Sequence, residues 1–201
     1  MGLTLFDPRT GARAEFKPAS QPAVGLELAG TGPRERALHA GLSSALVFLG
    51  LEPRPGKEIR VGGKDPGPKA AWLVAGELTG EEAPDAAALR SRGFSPDDFQ
   101  FLCLKTHYRR PLAFSWQALD AARAELRDLR ACAAAHAEVS LEPSVRARVG
   151  YLHRFREALS KDLEFAEAVN CVWDAVRPGA LSPGSRAALL RETLPGLGIS
   201  L

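Results

Sequence analysis

The chain has 201 residues, 45% of them hydrophobic and 25% charged, with a formal net charge of +2. This is the balance of an ordinary globular protein, with apolar residues enough for one sizeable domain or two small ones, and it does not by itself announce a nucleic-acid binder. Three cysteines with no close pair argue against a disulfide framework, and no apolar run is long enough to span a bilayer. The opening Met1-Gly-Leu-Thr-Leu-Phe-Asp-Pro8 has no basic segment leading into an apolar one, so a cytoplasmic protein without a membrane partner is expected.

In chain order, residues 1–32 read as extended structure with turns. Leu3-Thr-Leu-Phe6 and Arg13-Ala-Glu-Phe16 flank Asp7-Pro-Arg-Thr-Gly11, which suits a hairpin turn. A helix fits Pro33 to Leu49: proline suits the first helical position, Leu38, Leu42, Ala45 and Leu49 share a face, and Gly50 suits the stop. Residues 51–70 are Pro- and Gly-rich and read as a loop around a short strand at Ile59–Val61. Ala71-Trp-Leu-Val-Ala75 follows as a second short strand, with helix the alternative.

From Pro84 onward the pattern is helical. Ser95-Pro-Asp-Asp98 supplies a cap, a proline and acidic residues for a helix carrying Phe99, Leu102, Cys103 and Thr106. Ser115 caps the next, whose buried seam is Leu119, Ala122, Leu126, Leu129 and Ala133. Val145, Val149, Leu152, Phe155 and Leu159 mark another, Ala166, Val169, Val172, Trp173 and Val176 a third, and Ser182-Pro183 opens a last one with Leu189, Leu190 and Leu194. Apolar faces of this kind need one another, which implies an antiparallel bundle.

Chemistry is sparse. Gly56-Lys57 and Gly62-Gly63-Lys64 lack phosphate-loop spacing and read as flexible basic loop. Cys132 and His136, four apart on one helix, make only half of a zinc site, and a small buried apolar cysteine is the simpler reading there and at Cys103 and Cys171. Ser43, Ser44 and the histidines sit in no nucleophile–base context. Trp72, Trp116 and Trp173 read as packing residues. No catalytic, cofactor or metal site is expected. The densest basic and aromatic cluster is Lys105, His107, Tyr108, Arg109 and Arg110. It reads either as a nucleic-acid contact or, more simply, as cations closing a helix C-terminus before Pro111.

The segment from Phe94 through Lys105-Thr-His-Tyr-Arg-Arg-Pro-Leu-Ala-Phe-Ser115 resembles cysteinyl-tRNA synthetase, in which a helix leads into Ser-x-His-Tyr-Arg-x-Pro-Leu-x-Phe-Ser. Leu119 to about Leu197 is similar to the helical domain that follows in that family, although Lys161-Asp-Leu-Glu-Phe-Ala166 departs from its usual Asp-Asp-Phe/Leu-Asn-Thr-Pro. Leu5 to Pro18 resembles the family's opening hairpin, and Val24-Gly-Leu-Glu-Leu-Ala-Gly30 its Val-Gly-Met-Tyr-Val-Cys-Gly run, with Ala29 where the first zinc cysteine stands.

The resemblance also implies what is missing. The family's His-Ile-Gly-His sequence should fall between Gly30 and Arg34, where only Thr31-Gly-Pro33 stands. Its Lys-Met-Ser-Lys-Ser loop is matched by Lys69-Ala-Ala-Trp-Leu73, which keeps Lys69 but puts Trp72 at the second lysine. An indole supplies no mobile positive charge to a triphosphate. Most of the nucleotide-binding fold and the remaining zinc ligands would have to fit between Leu51 and Gly63, and the anticodon-binding extension would follow Leu201.

The expectation is therefore a mainly α protein. Residues 1–83 would form a small α/β remnant of the nucleotide-binding fold, packed on a C-terminal antiparallel helical bundle of residues 84–201. Its expected role is non-catalytic, with tRNA or another protein as partner and a homodimer allowed for because a shortened sheet leaves edges to cover. The alternative is a ligase or transferase of altered chemistry on a small amino-acid-like substrate, marked by a pocket around Lys64, Lys69 and Glu77.

Overall fold

A computed structural model describes residues 2–135 and 145–201. It is a mixed α/β fold with seven helices and three small sheets among the described residues. The hairpin forms as the sequence implies: β1 (Leu3–Asp7) pairs antiparallel with β2 (Ala12–Phe16). Gly11 at φ 70° closes its turn.

The central sheet is parallel, with β3 (Ala23–Leu28) flanked by β4 (Glu52–Pro55) on one side and β5 (Ile59–Val61) on the other, and β6 (Ala71–Leu73) beyond β5. Helix α1 (Pro33–Phe48) connects β3 to β4 and packs on β3, β4 and β5. β4 was hidden in the Pro/Gly loop because prolines disfavour strands. Its register resolves the conflict. Glu52 and Gly56 donate their amides inward, to Pro22 and Leu26, so Pro53 and Pro55 fall at the outward positions of an edge strand, where no donor is left for another chain to pair with.

Parallel neighbours ordinarily need a long crossover. Here β4 pairs with Ala23–Leu26 and β5 with Leu26–Leu28, so residues 56–58 hop across β3 where one strand gives way to the other. The hop requires backbone to cross backbone. A Cβ on Gly56 would lie 2.7 Å from the Gly25 Cα, and one on Gly25 would lie 3.0 Å from the Gly56 Cα. Glu58 fixes the crossing by accepting the Gly25 amide at 2.6 Å and the Ala19 amide at 2.7 Å.

Beyond the sheet, β7 (Leu78–Gly80) pairs parallel with β8 (Leu112–Phe114), a strand inside the stretch expected to be wholly helical. Between them lie α2 (Ala86–Ser91) and α3 (Pro96–Leu104), with Ser95 capping α3 as its sequence implies. Helices α4 (Trp116–Ala135), α5 (Val145–Ser160) and α6 (Phe165–Val176) follow, and α7 (Pro183–Gly196) packs on α1, α4, α5 and α6. This hub position explains why α7 carries buried Gly184, Ser185, Ala187, Leu190 and Thr193 on several sides rather than along one stripe. The seam of α4 is as expected, with Leu119, Ala122, Leu126, Leu129 and Ala133 all buried. That of α5 holds in its second half only: Phe155 and Leu159 are buried as expected and Ala158 joins them, while Val149 is 54% exposed. A single buried cluster runs from Leu3 to Ile199 and joins sheet and helices.

Gly56→Val is expected to lower stability by at least ~2 kcal/mol, because backbone lies where the side chain would go. Denaturant midpoints of the variant and of the exposed-site control Lys57→Ala check this; equal midpoints would refute the crossing.

Candidate functional site

The cluster at residues 105–110 follows α3 and folds around one acidic residue. Asp162, in the turn between α5 and α6, is fully buried and adopts the left-handed conformation at φ 58°. Aspartate tolerates that region better than most residues. Its Oδ1 accepts hydrogen bonds from the Tyr108 hydroxyl at 2.7 Å and the Phe6 amide at 2.8 Å. Its Oδ2 accepts from Arg109 at 2.9 Å and Arg13 at 3.4 Å. The Asp162 amide in turn donates to the Thr4 carbonyl at 2.8 Å. One carboxylate thus ties together β1, β2, the segment after α3 and the α5–α6 turn.

The five cluster residues separate by direction. Tyr108 is 4% exposed, and burial, reinforced by the negative charge of Asp162, pushes its phenol well above the usual range. Arg109 lies over the Phe6 ring at 3.9 Å. His107 stacks on Tyr108 with ring centroids 4.7 Å apart, and its Nε2 faces Asp162 at 3.7 Å and Glu164 at 3.6 Å. Lys105 is exposed and pairs with Glu125 at 2.5 Å. Arg110 is exposed and forms no ion pair among the described residues. Arg110 projects into solvent without an ion pair among the described residues, while Lys105 and Arg109 are each about a third exposed and paired with Glu125 and Asp162.

A second constellation lies at the carboxyl ends of β3 and β5, where the strand order reverses. Open parallel sheets hold ligands in this crevice, and phosphates favour the adjoining helix N-terminus. Here the crevice holds Glu35. Its Oε2 accepts the Gly32 amide at 2.8 Å, in the manner of a capping box. Its carboxylate sits between Gly30 and Gly62: a Cβ on Gly30 would come within 2.1 Å of it, and one on Gly62 within 2.3 Å. The Trp72 indole closes the same corner by donating to the Gly62 carbonyl at 3.3 Å. The neighbouring Arg34 is buried and turned away, donating to the carbonyls of Gly76 at 2.9 Å, Glu77 at 3.0 Å and His107 at 3.3 Å. Burial without a carboxylate lowers its pKa.

The other candidates stay apart. Lys69 borders a cavity of about 300 Å³ beside the hairpin, which neither Lys64 nor Glu77 lines. Cys103 and Cys171 are buried, and burial raises their thiols to about 12 and about 11. Cys132 is half-buried, His136 lies outside the described residues, and no group of three or more metal-binding side chains converges among the described residues. Trp72, Trp116 and Trp173 are half-buried. No described helix is long and apolar enough to cross a membrane.

Three participants were missed in the sequence. Glu35 carried a usable signal, its position three residues after Gly32 at the head of a helix. Arg34 and Asp162 carried none, since their roles depend on partners far along the chain. Helix α5 holds Arg146, Arg148, Arg154 and Arg156 against the single acid Glu157, with Arg148 paired to Glu192 and Arg154 to Asp174 on neighbouring helices.

The fold and site define a small parallel α/β sheet joined to helices, with the crevice at its switch point filled by the protein's own carboxylate. No protein-family model matches the chain. Over 56% of its length it is 33% identical to cysteine–tRNA ligase 1 of Burkholderia lata, 34% identical to the cysteine–tRNA ligase of Treponema pallidum and 30% identical to that of Novosphingobium aromaticivorans. These matches cover 23%, 26% and 24% of the respective relatives, so the chain spans about a quarter of their length. It is related in sequence to cysteine–tRNA ligases.

Asp162→Ala leaves Arg109, Arg13 and Tyr108 without their shared acceptor and is expected to cost about 3–5 kcal/mol, read from denaturant unfolding. Stability should also fall on acidification. Burial holds the His107 imidazole below its ordinary value of 6.5, against the opposing pull of Glu164 and Asp162. A depressed folded-state pKa contributes stability that is present above the unfolded value and is lost as pH drops through the folded one. The decline should begin near pH 6.5 and be shallower in His107→Gln; identical pH profiles would contradict it.

Proposed function

We propose that this chain is a non-catalytic relative of cysteine–tRNA ligase that binds tRNA. One observation carries the non-catalytic half: the Glu35 carboxylate fills the glycine-walled crevice at the head of α1, where a nucleotide phosphate would have to sit. An anion already in place repels a second. The resemblance puts the missing His-Ile-Gly-His sequence at this point and Trp72 at a lysine position, and the Trp72 ring is engaged with Gly62. In this reading residues 1–83 are a reduced nucleotide-binding unit and residues 84–201 the helical part that is kept for binding.

The RNA half rests on the relatives, which are tRNA ligases by name, and on the exposed cations. Asp162 holds the 105–110 segment rigid, so Lys105 and Arg110 are the contacting residues while His107, Tyr108 and Arg109 position them. Arg146 and Arg156 on α5, which form no ion pair among the described residues, extend the basic surface.

Pure protein is expected to show no cysteine-dependent exchange between ATP and pyrophosphate; robust exchange would overturn the non-catalytic reading. It should bind a bulk tRNA pool in preference to single-stranded RNA, with affinity falling steeply between about 50 and 200 mM salt. Lys105→Gln and Arg110→Gln should each reduce the logarithmic salt slope by roughly 1 or less without a change in stability, whereas Arg109→Gln should lower stability. Absence of binding at low salt would remove RNA and make another protein the partner.

A further inference from the structure

An apolar crevice of about 320 Å³ lies between α1, α2 and α3, bordering the head of α1 through Pro33 and Arg36, next to Glu35 in sequence. Leu89, Phe94, Phe99 and Ala37 line it together with Pro33, Pro84 and Pro96. Leu89, Phe94, Phe99 and Ala37 are each at most 8% exposed, so they form a firm floor, while Pro33 and Pro96 stand at its rim. Phe94 is further held from outside by Arg123, whose guanidinium lies 4.3 Å from its ring centroid, and by Trp116 at 5.8 Å.

The charges at the crevice are of one sign. Arg36 and Arg90 line it, no carboxylate does, and neither arginine forms an ion pair among the described residues. Arg36 is braced in place by donating to the Thr31 carbonyl. The nearby acids are engaged elsewhere: Asp85 accepts the Ala88 amide at 2.6 Å, and Asp97 accepts Arg130 at 2.5 Å. Two guanidiniums without ion pairs among the described residues, beside an apolar floor, select a ligand with an apolar body and one anionic end, because a guanidinium grips a carboxylate through paired, charge-assisted hydrogen bonds. The volume sets the size at roughly ten non-hydrogen atoms, taking the ~30 Å³ of a liquid water molecule for each.

We propose that this crevice is a binding site for a small monocarboxylate with an apolar chain or ring, its carboxylate held by Arg36 and Arg90 and its body lying against Leu89, Phe94 and Phe99. The site shares the first turn of α1 with Glu35, but neither Glu35 nor any residue of the 105–110 segment lines it. Among protein surfaces, small concave apolar sites with a few convergent polar groups are the usual form of a small-molecule site.

Calorimetric titration of the full chain with octanoate tests it, with octylamine as the probe of equal size and opposite charge. Saturable one-to-one binding of octanoate is expected, with octylamine at least about tenfold weaker, the factor that ~1.4 kcal/mol of head-group preference produces. The double variant R36Q/R90Q changes two exposed residues and should weaken octanoate about tenfold while leaving the unfolding midpoint in place. Ala86→Trp, at an exposed position bordering the crevice, should abolish binding by filling it. No saturable binding of octanoate, equal binding of octylamine, or undiminished binding by R36Q/R90Q would each overturn the proposal.

Discussion

A single buried carboxylate organises the contact between the two ends of this chain. Asp162 accepts hydrogen bonds from β1, from Arg13 on β2 and from both Tyr108 and Arg109 after α3, while its own amide binds β1 in return. A charge removed from water is tolerated only when opposite charge and hydrogen bonds surround it, and Asp162 has both. The consequence reaches well past the turn that carries it. The hairpin is anchored to the helices, and the basic segment from Lys105 to Arg110 is given a fixed shape, with Tyr108 buried and Arg110 exposed.

Glu35 is a second acidic residue placed where its neighbours admit nothing larger. Gly30 and Gly62 leave a gap at the head of α1 that would suit an incoming phosphate, and the carboxylate occupies it while accepting the Gly32 amide. In a compact sheet whose strands are joined by a three-residue hop across β3, little other space remains at the strand ends. The crevice at the head of α1 is thus closed by a side chain that caps the helix. Relatedness to cysteine–tRNA ligases does not by itself assign their chemistry to this chain, because function belongs to the site and not to the fold.

Local signals made much of the fold legible in advance. The hairpin around Asp7–Gly11, the proline-led start of α1, the Ser95 cap and the seam of α4 each depend on residues a few positions apart, and each is found. What escaped depends on distant partners. β4 is a strand despite two prolines because β3 supplies its ladder on the inner side only, and β8 exists because β7 lies beside it. The basic cluster was visible as charge, but nothing local indicated that Tyr108, His107 and Arg109 turn inward, since the group they turn toward lies more than fifty residues later. Glu35 was legible as a helix cap and illegible as the occupant of a crevice, because one wall of it, Gly62, follows β5 and lies far along the chain.

The most direct measurement is a crystal structure of the protein grown with ATP and magnesium. This account predicts the Glu35 carboxylate between Gly30 and Gly62, hydrogen-bonded to the Gly32 amide, with no phosphate at the ends of β3 and β5. A triphosphate seated at the head of α1 with Glu35 swung aside would contradict it.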